Sequence, residues 1–247
     1  MFGSTKRLDY ELEVAAVIGK SSQLGEPVKI EDADDYIFGL VLLNDWSGEL
    51  VWISSFSTIL TLFSARDIQG LEMNPLGPLN GKSFSTQISP WIITLDALTP
   101  FKASAPPRNP ATKIVEYLQD RQTKPTYAFD LSATVKPSNC PTVSTICRTQ
   151  FSSLYWTLRD LVAHQTVNGC NLNTGDLLAT GTISGETKES HGCLMEVAAK
   201  GGLTIQKTDG VSEQRIFFHD GDTVTLTAVA GPGVGFGQCV GKVLPAT

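Results

Sequence analysis

The run Tyr36–Asn44, YIFGLVLLN, is apolar at consecutive positions instead of alternate ones. A strand with one wet face alternates, whereas a strand covered on both sides reads as a continuous apolar run. The run therefore predicts a strand over Ile37–Leu43 buried on both faces. A chain that contains it must cover a sheet from two sides, and the strand carries Asp45 to its end, where sites often form. Further strand-like runs lie at Leu12–Ile18, Trp91–Thr94, Thr126–Val135, Leu203–Ile205, Ile216–Phe218 and Thr223–Val229, separated by Gly, Pro, Asn and Asp. "LNTGDLLATGTI" reads as a turn, a buried strand and a second turn. One helix is predicted from about Gln150 to Gln165, where Phe151, Leu154, Tyr155, Leu158, Leu161 and Val162 recur at helical spacing before the stop Asn168-Gly169. KASAPPRNPATK reads as a surface loop within one domain, because the strands on both sides look like parts of one sheet system.

Composition narrows the function. Hydrophobic residues make up 41% of the 247 and charged ones 18%, which suits a globular core. A formal charge of -6 and a pI near 5.1 supply no basic face for phosphates, so nucleic acid is not an expected partner. The five cysteines are widely spaced with no CxxC pair, which argues against a disulfide framework or zinc site and for a reducing, cytoplasmic setting. MFGSTKRLDYELEV carries charge where a signal peptide needs an apolar run. The longest apolar segment, Leu50–Phe63, includes five Ser or Thr in 14 positions, too short and too polar for a membrane span.

Glu11 and Glu13 enter the first strand two positions apart and so share one face, opposite Leu12 and Val14. An exposed acidic strand edge is the plainer reading of the pair taken alone. Together with Asp45, three carboxylates suit a hard divalent cation, Mg²⁺ or Ca²⁺, with oxygen ligands. In PLGPLNGKSFSTQISPW the Gly-Lys-Ser lacks phosphate-loop spacing, since its glycines are Gly77 and Gly81. Lys82 there fits a role beside carboxylates or at an oxyanion. ATGTISG can present the hydroxyls of Thr182 and Ser184. Of three histidines, His164 closes the predicted helix, His219 lies in a solvated turn, and His191 precedes Glu196 by five positions. That pair has the makings of a general base, although a plain loop histidine is the simpler reading.

These words resemble the fumarylacetoacetate hydrolase family. LDYELEVAAVIG, LGEPVKI, IFGLVLLNDWS, ARDIQ, PLGPLNGKSFSTQISPW, LDALTPF, VNGCNLNTGDLLATGTISG, HDGD and GFGQCVGKVLPA carry the resemblance over nearly the whole chain. SPW after GKSF, TGTISG and the carboxy-terminal GFGQCVGKVLP point to its fumarylacetoacetate-cleaving branch. The resemblance implies an α+β, β-dominated fold, a mixed β-sheet roll or sandwich with few helices. It implies that Glu11, Glu13 and Asp45 are metal ligands, and that Lys82 and Thr86 lie at a second, magnesium-type ion. Arg66, Gln69 and Lys82 would hold a developing oxyanion, and Glu196 would orient a catalytic histidine. Gln69 and Thr182 would contact substrate, as would position 73, where Met73 replaces the family's tyrosine. The implied reaction is hydrolysis of a carbon–carbon bond in a small β-diketo acid to give fumarate and acetoacetate, by a cytoplasmic homodimer. Other metal-dependent members of the superfamily, acylpyruvate hydrolases, hydratases or decarboxylases, need only the three carboxylates. An inactive remnant is the third reading.

The family word NDWSARDIQ is split here between Asn44-Asp45-Trp46-Ser47 and Ala65-Arg66-Asp67-Ile68-Gln69. The 17 residues 48–64 (64 − 48 + 1), GELVWISSFSTILTLFS, have no polar/apolar plan and read as a non-native insertion, a translated intron. The family's active-site His and a fourth metal-binding Asp precede LDYELE, so residues 1–247 are expected to form a catalytic domain without its amino-terminal partner, with impaired activity.

Overall fold

The structure is a computed structural model that describes residues 5, 7–47, 75, 77, 80–138, 140–198, 201–206 and 212–246. The interruption at 48–64, together with Arg66, Gln69 and Met73, lies outside the described residues.

The apolar run forms the centre of the first sheet. Strand β1 (Leu12–Ile18) pairs antiparallel with β2 (Ile37–Trp46), which also pairs with β3 (Ser85–Ile88) and β4 (Ile93–Thr94). Both faces of β2 are covered from Gly39 to Asn44, as its composition requires, while Phe38 near its start departs from the expectation and is 53% exposed. Leu40, Leu42 and Trp46 join the main core with Leu12, Val14 and Ile18 of β1, while Val41 and Leu43 pack with Ala15, Val17 and Ala179 on the other face. Gly39 interrupts the apolar run for a steric reason: a Cβ there would meet the Ile93 carbonyl oxygen at 2.5 Å, so only glycine lets β4 approach.

A second sheet closes the main core. After β5 (Lys102–Ala103) and β6 (Thr126–Tyr127) come β7 (Asp130–Lys136) and β8 (Ser144–Gln150). These join β12 (Thr223–Val229) and β13 (Gly235–Lys242) in the order β13-β12-β7-β8. Leu131, Ala133, Val135, Val224, Leu226, Phe236 and Cys239 face the first sheet, and the Phe129 and Phe151 rings stack at 4.5 Å between centroids. The edge of the first sheet is β9 (Leu177–Ala179), and β10 (Leu203–Gln206) pairs with β11 (Ser212–Arg215). The expected β-dominated architecture with few helices is the one formed. Its described strand pairs are antiparallel where a mixed sheet was expected.

Several boundaries differ from the sequence reading. The helix spans Leu158–Thr166 and does not begin at Gln150, which ends β8; Phe151–Ser153 is a single 3₁₀ turn. Its start is set by a capping box, in which Thr157 Oγ1 accepts from Asp160 N–H and Asp160 accepts from Thr157 N–H. Phe151 and Leu154 still pack on the core, but from irregular chain, which is why their spacing resembled helix. Ile216–Phe218 is not a strand; pairing ends at Arg215, and Phe218 serves as a core anchor whose N–H reaches Leu8 O at 3.1 Å. Thr126–Val135 breaks into β6 and β7, and Trp91–Thr94 keeps only Ile93–Thr94. Leu177 is 42% exposed, because β9 is a sheet edge instead of the buried strand expected.

Candidate metal centre

Strand register brings the acidic residues together. Glu11 precedes β1 by one residue and Glu13 lies within it. The ladder sets Leu12 opposite Asn44 and Glu13 opposite Leu43, and Asp45 N–H bonds to Glu11 O at 3.3 Å. Alternation turns Glu11, Glu13, Leu43 and Asp45 to the same face. Thr86, paired with Asp45 across β2 and β3, shares that face and is exposed. One carboxylate oxygen from each of Glu11, Glu13 and Asp45 lies within 4.8 Å of the other two. Ligands bound at about 2.0–2.6 Å to one Mg²⁺ or Ca²⁺ fall within such a span. Glu11 and Glu13 are only 6% and 3% exposed, so the exposed acidic edge is excluded.

Lys82 ends the turn Asn80–Lys82, and its Nζ donates to Glu11 Oε2 at 2.6 Å and Asp45 Oδ2 at 2.7 Å. Burial pushes the ammonium down, but the bonds to Asp45 and Glu11 outweigh it and raise its titration above the ordinary lysine value. With all three carboxylates ionised, one ammonium would leave two negative charges, which a dication balances. Glu13 carries the strain: burial first, then the charges of Glu11 and Asp45 and a hydrogen bond with Glu11, push its carboxyl up to about 8 against the opposing pull of Lys82. Its Oε2 also accepts from Gly181 N–H at 3.1 Å, in a turn where Gly181 holds φ +74.

The raised Glu13 has a measurable consequence. Its ordinary value is 4.5, so between about pH 4.5 and about 8 the folded chain holds a proton that the unfolded chain has released. This contribution to stability is whole below 4.5 and is lost as pH rises towards 8. A dication that replaces the proton reverses the trend. Thermal melts in chelator should show Tm falling from pH 5 to pH 8, with added Mg²⁺ restoring more at pH 8 than at pH 5. Glu13→Gln should flatten the slope; an unchanged slope in that variant would refute the assignment.

A second group adjoins the first. The chain after β9 continues along β1, with Thr180 N–H on Val14 O at 3.0 Å and Ile183 N–H on Leu12 O at 2.8 Å. Thr182 is half-buried there, its methyl against Gly192. Ser184 Oγ accepts from Gly192 N–H at 2.9 Å and donates to Glu196 Oε2 at 2.5 Å. Glu196 lies in the short helix Leu194–Ala198, where its charge joins burial in pushing the Cys147 thiol up to about 12. His191 lies in the chain after the 3₁₀ turn Lys188–Ser190, a loop position as the plainer reading expects, and is buried there, 6% exposed. His164 lies in the last turn of its helix, 2.9 Å from Tyr117 Oη, and His219 is exposed as expected.

Sequence reasoning missed Asp9, which is fully buried and accepts from Leu194 N–H at 2.7 Å and Met195 N–H at 3.0 Å. The signal was available: Asp9, Glu11 and Glu13 alternate, and only the last two were read as a pair.

The family model for the fumarylacetoacetate (FAA) hydrolase C-terminal region matches residues 2–244. Fumarylacetoacetase of Oryza sativa subsp. japonica is 46% identical over 248 residues, covering 99% of this chain and 52% of that protein. Fumarylacetoacetase of Bos taurus is 45% identical over 251 residues, covering 100% of this chain and 54% of that protein. The chain thus spans about half the length of the curated relatives it matches. Among solved structures, a fumarylacetoacetate hydrolase from psychrophilic Exiguobacterium antarcticum superposes with a TM-score of 0.56 at 20% identity, covering 98% of this chain and 58% of that one. A fumarylacetoacetate hydrolase family protein from yeast gives 0.56 at 14%, covering 96% and 67%. At those identities the structures attest the fold alone.

Proposed function

The chain belongs to the fumarylacetoacetate hydrolase family, and from that premise we propose that it hydrolyses 4-fumarylacetoacetate to fumarate and acetoacetate, the last step of tyrosine and phenylalanine catabolism. The observation that carries the reading is the Glu11–Glu13–Asp45 cluster, two of its members buried, with Lys82 bridging Glu11 and Asp45. The donor set, all oxygen with excess negative charge, favours Mg²⁺ or Ca²⁺ over softer metals. When bound, such an ion supplies Lewis-acid polarisation of the diketone and stabilises the carbanion that departs.

The chain's own groups supply further parts of the reaction. Water adds its oxygen to the fumaroyl carbonyl, the bond to the acetoacetate carbon breaks, and that carbon takes up the proton. Lys82, held protonated beside the cluster, donates to the alkoxide as charge develops. Arg66 and Gln69 are assigned to the same oxyanion, and Thr182, Gln69 and Met73 to substrate contact, by family resemblance. Thr86, across the sheet from Asp45, is assigned to a second, magnesium-type ion. Glu196 is assigned the orientation of a basic histidine, with Ser184 fixing its carboxylate.

Self-association as a homodimer, in the cytoplasm, completes the reading. Phe84, Ile88, Trp91, Ile92 and Val240, all exposed, lie on or beside the edge strands β3 and β13 and support it. Among the described residues no helix is long and apolar enough to cross a membrane. The segment 48–64 is assigned as a non-native insertion, which sequencing of the transcript across codons 40 to 75 tests directly.

The enzymatic test follows disappearance of the diketone and chromatographic release of fumarate. Turnover should stop with chelator and return with Mg²⁺ or Ca²⁺. Turnover of short acylpyruvates without that of fumarylacetoacetate would select another enzyme of the superfamily instead, and silence with both would select the inactive remnant.

A further inference from the structure

Asp9 lies two residues ahead of Glu11 on the same strand face, yet it is not one of the three acids that converge. Its backbone is locked to the end of β2: Asp9 N–H bonds to Ser47 O and Ser47 N–H to Asp9 O, both at 3.1 Å. Ser47 Oγ in turn donates to Glu11 Oε1 at 3.5 Å. The side chain reaches the helix that carries Glu196. Oδ1 accepts from Leu194 N–H at 2.7 Å and from Tyr10 N–H at 2.8 Å, and Oδ2 accepts from Met195 N–H at 3.0 Å. The first N–H groups of a helix have no partner within it. This helix, Leu194–Ala198, has five residues and is far too short to hold itself. Its placement therefore depends on what grips its start, and Asp9 grips it from the strand that bears the metal carboxylates.

We propose that Asp9 is a positioning residue that sets Glu196 relative to Glu11, Glu13 and Asp45, and that it does so through the Leu194 and Met195 N–H groups. The proposal rests on the hydrolase reading above. A carboxylate is required because its two oxygens both accept. Asparagine keeps the acceptor for Leu194 and Tyr10 but turns an NH₂ donor towards the Met195 N–H.

The experiment uses Asp9→Asn, alone and combined with Glu196→Gln, in the full chain. Amide exchange at Leu194 and Met195 should accelerate at least about 10-fold. The kcat should fall about 10²-fold, the scale of a misplacement near 1 Å, with KM and divalent affinity within about twofold. In the Glu196→Gln background Asp9→Asn should cost nothing further, since the two act through one path. If Asp9→Asn does not fold, Asp9→Glu retains both acceptors one methylene further out, and it should fold and show the same kcat loss. Additive losses in the double variant, unchanged exchange, or a loss of divalent affinity parallel to kcat would each overturn the proposal. A parent chain that turns over no diketone overturns the hydrolase reading alone, and exchange at Leu194 and Met195 then decides whether Asp9 holds the helix.

Discussion

Lys82→Met is expected to lower kcat about 10²- to 10³-fold while divalent affinity rises, because the two effects of the ammonium have opposite signs. In substrate turnover Lys82 is a preorganised donor for developing negative charge, and removal of one such donor typically costs that much. In metal binding it competes. Its Nζ occupies Glu11 Oε2 at 2.6 Å and Asp45 Oδ2 at 2.7 Å, and its positive charge repels a dication bound to the same oxygens. Methionine keeps the length of the stem without the charge. Steady-state kinetics alongside a calorimetric titration separates the two effects. Metal binding lost together with turnover would mean that Lys82 organises the ligands and does not merely balance them.

The second large effect lies in the scaffold. Arg159, 3% exposed on the helix Leu158–Thr166, donates from Nε to Asp120 Oδ2 at 2.6 Å and from Nη1 to Asp34 Oδ2 at 2.9 Å. It pins two separate 3₁₀ turns and their flanking chain, Ile30–Tyr36 and Glu116–Leu118, to one helix. The Asp120 side chain is itself only 7% exposed, so Arg159→Met leaves it without its counter-charge, with the Gln122 N–H at 3.0 Å still bonded, which costs about 3–5 kcal/mol. For a chain of this size that corresponds to a Tm lower by roughly 6–20 °C. Denaturant melts measure the loss directly; a change below about 1 kcal/mol would place the pair among weak surface bridges.

What the sequence revealed and what it hid follow from the range of each interaction. The doubly buried β2 was legible because nine consecutive residues, Tyr36–Asn44, state their environment without reference to partners. Glu11 and Glu13 were legible as a pair because alternation is local, and Asp45 because it ends the continuously apolar strand. The helix start was misplaced because Phe151 and Leu154 are core residues at helical spacing in chain that is not helical, and the deciding signal, the Thr157–Asp160 box, is a side-chain contact. β8 and β13 escaped because STICRTQ and GFGQCVGK hold few consecutive apolar residues, and their burial is set by the facing sheet. The alternation of Asp9 with Glu11 and Glu13 was legible, but its role escaped because its partners, Leu194 and Met195, are distant in sequence.

The central claim is that Glu11, Glu13 and Asp45 form a divalent-cation site, and a calorimetric titration of Mg²⁺ and Ca²⁺ into the metal-stripped chain tests it most directly. The expected result is saturable binding at the carboxylate site in the parent and loss of that site in Asp45→Ala, with the two proteins matching in circular dichroism. Binding of equal stoichiometry and affinity in Asp45→Ala would contradict it.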